Sequence, residues 1–198
     1  MNRKSKRIIG LTGGIGTGKT TVSHYLATVC NIRVLDADTY AREAVEKNSP
    51  ILQTIKKRYG SDICLNNGEL NRKKLGNIIF NNSTEKQWLE QQIHPYVRQR
   101  FQQEKNQYEG EIIVLDIPLL FESQLTDLVT EIWVVYCSYE QQLQRLIDRN
   151  YLSEEEAIAR IKSQFPIEDK VSRADVVLDN SSTKKNLYQQ IDKIIKKN

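Results

Sequence analysis

Five short apolar segments punctuate an otherwise polar chain, at residues 7–11, 32–35, 112–115, 131–135 and 174–178. Most run continuously apolar instead of alternating with polar residues, as strands do when helices cover both faces of a parallel sheet. Patterns of helical period lie between them. Behind the first segment Val22, Tyr25, Leu26 and Val29 recur at helical intervals, and near the C-terminus Leu187, Ile191, Ile194 and Ile195 form an apolar stripe on a lysine-rich helix. Strands separated by helices predict an α/β three-layer fold around a five-stranded parallel sheet.

Two stretches exceed what a simple crossover needs. Residues 39–110 read as mostly helical, with helices expected over 40–46, 50–58, 72–80 and from 85 to about 104, and a turn at Asn66-Asn67-Gly68. Pro95 should bend or break the last of these helices. An insertion on one edge of a core is a natural seat for a second substrate. Residues 138–170 read as a helix pair, because Ser138 with Gln141 and Ser153 with Glu156 have capping-box spacing. Arg145 and Arg149 are four apart and share a helical face, while Leu143, Leu146 and Ile147 can pack inward. Such a face is as readily a solvated surface as a ligand contact. The expected division is a core of residues 1–38, 111–137 and 171–198, a helical insertion over 39–110, and the region 138–170.

A chain of 198 residues suits one core with insertions. Its net charge of +4 comes from lysines and arginines spread along the chain, without a basic stripe interleaved with aromatics. No nucleic-acid partner is therefore expected, and the excess suits polyanionic small molecules. Cys30, Cys64 and Cys137 are odd in number and far apart, as reduced thiols of an intracellular protein would be, with Cys137 at a strand end expected in the core. Residues 1–7 are basic like the start of a signal peptide, but the apolar stretch that follows is short and becomes a glycine-rich loop. A cleaved leader is not expected. No run approaches the roughly 20 apolar residues of a membrane helix. The expectation is a cytoplasmic protein with no membrane partner, and a monomer is favoured.

The glycine-rich loop carries the first chemistry. Gly13-x4-Gly18-Lys19-Thr20 joins an apolar strand to a helical pattern. Glycines at 13, 14, 16 and 18 let the backbone turn its N–H groups inward, and the helix that follows adds the positive end of its dipole. This is a phosphate cradle, in which Lys19 supplies a charge for the β and γ phosphates and the Thr20 hydroxyl is placed to ligate Mg²⁺. The candidate nucleotide contacts are Gly14, Ile15, Gly16, Thr17, Gly18, Lys19, Thr20 and Thr21.

Acids follow two of the strands. Asp36-Ala37-Asp38 comes directly after the second, where ligands approach such sheets, so at least one of these carboxylates should face the loop and could accept the proton of an attacking hydroxyl. Asp38 could equally serve as a helix N-cap. Asp116 ends the third segment and could hold Mg²⁺. Residues 117–122 are too apolar for an exposed loop, which makes Leu119 and Phe121 candidate pocket walls. His24 and His94 share no metal-binding spacing. The chain has neither the Asn-Lys-x-Asp motif that reads guanine nor an Asp-x-x-Gly switch after its third strand, which argues against a GTP-controlled module.

Taken in order, Gly-Leu-Thr-Gly-Gly-Ile-Gly-Thr-Gly-Lys-Thr at 10–20, Asp-Ala-Asp at 36–38, His94-Pro95 and Asp-Ile-Pro-Leu-Leu-Phe-Glu at 116–122 closely resemble the dephospho-CoA kinases. Gln-Leu-x-Arg-Leu-x-x-Arg at 142–149 and residues 174–180 extend the resemblance over nearly the whole chain. It implies a P-loop kinase that uses ATP and Mg²⁺ to phosphorylate the ribose 3′-hydroxyl of dephospho-CoA. It also implies a helical acceptor-binding insertion that includes His94, and a mobile lid carrying Arg145 and Arg149. Asp38 would be the base, Lys19 and Arg145 the groups acting on the transferring phosphate, and Asn180 a neighbour of adenine.

Overall fold

The structure, a computed structural model, describes residues 6–80 and 82–196. Most of the basic start considered above and the final two residues lie outside the described residues. Ala37–Tyr108 forms one compact unit, and the described residues on either side of it form another.

The larger unit is built on five parallel strands: β1 (Arg7–Gly13), β2 (Arg33–Asp36), β3 (Ile112–Asp116), β4 (Glu131–Tyr136) and β5 (Val176–Asp179). Their order across the sheet is β2-β3-β1-β4-β5, which puts β1 at the centre and the glycine loop at its C-terminal end. Consecutive strand residues point to opposite faces, and both faces are covered. On one face Ile9, Leu11, Trp133, Val135 and Leu178 pack with Val22 and Leu26 of α1 (Lys19–Thr28) and with Leu187 and Ile191 of the C-terminal helix Lys184–Lys196. On the other, Val134 meets Phe121 and Ile167. Two-sided burial explains why these segments read as apolar runs. Val29 departs from the expected stripe: it follows the last turn of α1 and is 63% exposed. Tyr25 instead stacks on Tyr188, with ring centroids 4.0 Å apart.

The smaller unit is helical. It contains α2 (Ala37–Glu43), α3 (Pro50–Tyr59), α4 (Arg72–Phe80) and α5 (Ser83–Gln107). Ser49 caps α3 by accepting from the Leu52 N–H, and Asn82 caps α5 by accepting from the N–H groups of Thr84 and Glu85. The expected turn is present, with Gly68 at φ 84°. Two expectations need correction. α2 begins directly after β2, so Asp38 lies inside its first turn and is not an N-cap; there its charge favours the helix dipole. α5 is not broken at Pro95. Leu89, Val97 and Phe101, buried on either side of the proline, anchor the helix through the missing hydrogen bond.

After β4 come α6 (Tyr139–Asn150), α7 (Glu154–Lys162) and α8 (Ile167–Val171), with α9 (Lys184–Lys196) closing the chain. Both capping boxes are formed, at Ser138 with Gln141 and at Ser153 with Glu156. Among the described residues no helix is long and apolar enough to cross a membrane.

Candidate active site

The loop after β1 has the geometry that its glycines allow. Gly16 and Gly18 take φ of 80° and 96°, and a side chain at either would also collide: a Cβ on Gly16 would lie 3.0 Å from the Gln142 carbonyl oxygen, and one on Gly18 2.2 Å from the Asn180 amide nitrogen. These positions need glycine for backbone angle and for close approach alike. Thr17 is fully buried, with its hydroxyl donating to the Gly14 carbonyl at 2.8 Å, so this side chain shapes the loop from within. Thr20, in the first turn of α1, is exposed.

Lys19 forms an ion pair with Asp116 at the end of β3. Burial pushes the Asp116 carboxyl above the ordinary range; Lys19 pulls it down and Asp36, its register partner across β2 and β3, pushes it further up. As pH falls, Asp116 is therefore protonated before an ordinary aspartate, and the pair weakens from there down.

Arg145 reaches the loop from α6. Its guanidinium donates to the carbonyls of Gly16 at 3.3 Å, Thr17 at 3.4 Å and Asn180 at 2.8 Å. The Asn180 side-chain amide also donates to the Thr17 carbonyl, at 2.8 Å. Together these groups clamp the loop through its carbonyls. Beside the clamp opens a cleft of about 540 Å³, whose walls include Gly16, Gly18, Thr21, Arg145, Arg149 and Asn180. Residues nominated from three separated stretches of sequence thus share one cavity. Gly14 lines a second cleft of about 290 Å³, with Gln142, Gln164 and Phe165.

Three polar side chains at this loop were given no role from the sequence, although Gln142 opens the motif at 142–149. Gln142 is buried and donates to the Cys137 carbonyl at 3.4 Å. Gln164 accepts the Ile15 N–H at 2.8 Å. Lys170 is fully buried, 2.7 Å from Glu122 and 3.5 Å from the Gly13 carbonyl, and the same Glu122 oxygen accepts the Phe165 N–H. Such pairs are invisible in one dimension because the partners lie far apart in the chain. Removing one member strands a buried charge, so Lys170→Met should destabilise the protein by about 3–5 kcal/mol. A melting temperature lowered by about 10 °C, partly restored in Lys170→Met/Glu122→Gln, is the expected result of thermal denaturation.

Residues 117–122 are apolar because they pack into the core. Ile117, Leu120 and Phe121 are buried, with Phe121 against Val134 and Ile167. Phe121 is thus 8% exposed and Leu119 half-buried. Cys137 is buried in the core as expected, and His24 is exposed.

In the helical unit, Asp38 is exposed in the first turn of α2 and His94 is half-buried in α5. Burial pushes the His94 imidazole down from its ordinary value, Glu90 one turn before opposes this, and Arg98 one turn after adds to it. The shift favours the neutral ring at pH 7.

A family model described as dephospho-CoA kinase matches residues 7–186. A Trichormus variabilis protein named dephospho-CoA kinase is 57% identical over 188 residues, covering 95% of this chain and 96% of the other. A crystal structure from Thermus thermophilus superposes with a TM-score of 0.84 at 31% identity, covering 98% of both chains. A dephospho-CoA kinase from Campylobacter jejuni gives 0.73 at 30% identity, covering 97% of this chain and 96% of that one.

Proposed function

The chain belongs to the dephospho-CoA kinase family, and from that premise we propose that it transfers the γ-phosphoryl group of ATP to the ribose 3′-hydroxyl of dephospho-CoA, releasing CoA and ADP. This is the last step of coenzyme A synthesis. The observation that carries the reading is the loop at residues 13–21, with Lys19 held at the end of β3 and Arg145 fixed against the loop's carbonyls.

ATP places its phosphates in the cradle formed by the loop's N–H groups, and Lys19 exchanges Asp116 for the β and γ phosphates. The cleft beside Arg145, Arg149 and Asn180 takes the rest of the nucleotide. Phosphoryl transfer has a loose transition state, with charge spread over the peripheral oxygens. Cations at those oxygens and alignment of the attacking hydroxyl therefore matter more than a strong base. Asp38, exposed in the first turn of α2, accepts the proton of that hydroxyl. His94 and Leu119 belong with the acceptor.

Thr20 and Asp116 fit Mg²⁺, because a hydroxyl and a carboxylate are the hard oxygen donors it prefers. Held there, Mg²⁺ would supply positive charge against the phosphate oxygens. Among the described residues no group of three or more His, Cys, Asp and Glu could hold a metal.

The helices α6 and α7 form the lid. Gln164 and the Glu122–Lys170 pair fasten its C-terminal end to the loop, leaving the turn at Tyr151, 94% exposed, as the part free to close. Closure excludes water and limits ATP hydrolysis.

A panel of acceptors with γ-labelled ATP tests the reading. Label should pass to dephospho-CoA in preference to AMP, nucleosides and shikimate; preference for a nucleotide without the pantetheine arm would overturn it.

A further inference from the structure

One peptide of the glycine loop, Gly14–Ile15, is held on both edges. Its carbonyl, on Gly14, accepts the Thr17 N–H at 3.2 Å and the Thr17 hydroxyl at 2.8 Å, both from within the loop. Its N–H, on Ile15, donates to the Gln164 side chain at 2.8 Å, a partner from outside the loop. A peptide unit is planar, with C=O and N–H on opposite edges, so a partner on each edge stops the plane from rotating. Gly14 cannot supply that stiffness through a side chain of its own, because a Cβ there would lie 2.7 Å from the Gln142 Oε1. It must come from the hydrogen bonds.

The Ile15 N–H also differs from its neighbours in the loop. Among the described residues the Gly16 and Gly18 N–H groups meet no protein acceptor, as donors kept for phosphate should, whereas that of Ile15 is committed to the protein. Gln164 is itself pinned. It stands in the short connector between α7 and α8, where the next residue, Phe165, donates its N–H at 3.1 Å to the Glu122 oxygen that also meets Lys170. The other Glu122 oxygen is buried and has no hydrogen-bond partner among the described residues. An unsatisfied buried oxygen costs stability, so this carboxylate is turned to hold the connector and not to complete its own bonding.

Resting on the kinase reading above, we propose that Gln164 is a positioning residue for phosphoryl transfer: it locks the Gly14–Ile15 plane and thereby sets the direction of the Gly16 N–H that follows. Gln164 acts through the loop and not by touching phosphate. Donors already aimed at the phosphate oxygens stabilise the charge of the transition state without having to reorganise during the reaction. A plane free to turn would lose that advantage, since Gly16, at φ 80°, offers no side chain to resist the turn. Methionine at position 164 has nearly the length of glutamine but no accepting oxygen, so it removes the lock and leaves the packing of the connector in place.

Gln164→Met, measured beside the parent, tests this role. Amide hydrogen exchange at Ile15 in the ATP-free protein should quicken by about tenfold or more. Steady-state kcat/KM for ATP should fall by about tenfold or more, with KM for dephospho-CoA within about twofold of the parent. The melting temperature should stay within about 2 °C. Unchanged exchange at Ile15, or kcat/KM for ATP within about twofold of the parent, would overturn the proposal. So would a melting temperature lower by about 5 °C or more, which would make Gln164 a general support of the fold. If the parent does not phosphorylate dephospho-CoA at all, the kinase reading itself fails; if it does and the variant matches it, only the positioning role falls.

Discussion

Lys19→Ala lowers kcat at saturating ATP and dephospho-CoA by at least about 10²-fold, equivalent to about 3 kcal/mol of transition-state stabilisation. The lysine is the cation nearest to hand for the β and γ oxygens, and in the structure it is already drawn to the end of β3 by Asp116. Its loss has two consequences. The transferring phosphate loses a charge partner, and Asp116 is left as a buried carboxylate with its main compensation gone. Asp38→Asn, measured under the same conditions, falls less, because a loose transition state leaves little work for a base. A Lys19→Ala enzyme with near-normal turnover would remove the phosphate role assigned here.

The second large effect is expected at Arg145. Its guanidinium engages three carbonyls, at Gly16, Thr17 and Asn180, so that it sets the shape of the loop as well as the charge of the cleft. Arg145→Ala should therefore lower kcat/KM for ATP by about 10²–10³-fold. Arg145→Lys separates the two contributions. An ammonium keeps the charge but cannot span three carbonyls, so most of the loss should persist. Recovery to within a few fold by Arg145→Lys would mean that charge alone matters and that the clamp does not.

Much of this site could be read from the chain before its structure. The glycine loop announces itself because its chemistry is local: the turn, the lysine and the helix start are neighbours in sequence. The strands were equally legible, since burial on both faces leaves an unbroken apolar run such as residues 112–115. Asp116 was placed correctly at a strand end, but its pairing with Lys19 needed the register of β1 beside β3.

What stayed hidden depends on partners distant in sequence. Nothing next to Lys170 in the sequence marks it, because Glu122 and the Gly13 carbonyl come to it only in space. For the apolar stretch at 117–122, composition cannot separate a pocket wall from a core segment, and the packing of Phe121 against Val134 and Ile167 appears only in three dimensions. Asp38 was ambiguous for a similar reason: whether it caps a helix or stands within its first turn depends on how abruptly β2 gives way to α2.

The central claim is that one phosphoryl group passes from ATP to the 3′-oxygen of dephospho-CoA. The most direct measurement is ³¹P NMR of the product, coupled through phosphorus to the ribose protons, with ADP quantified in the same sample. The account predicts one new phosphomonoester per ADP, coupled to the ribose H3′. ADP without a new ester, or an ester on the 2′-oxygen or the pantetheine arm, would contradict it.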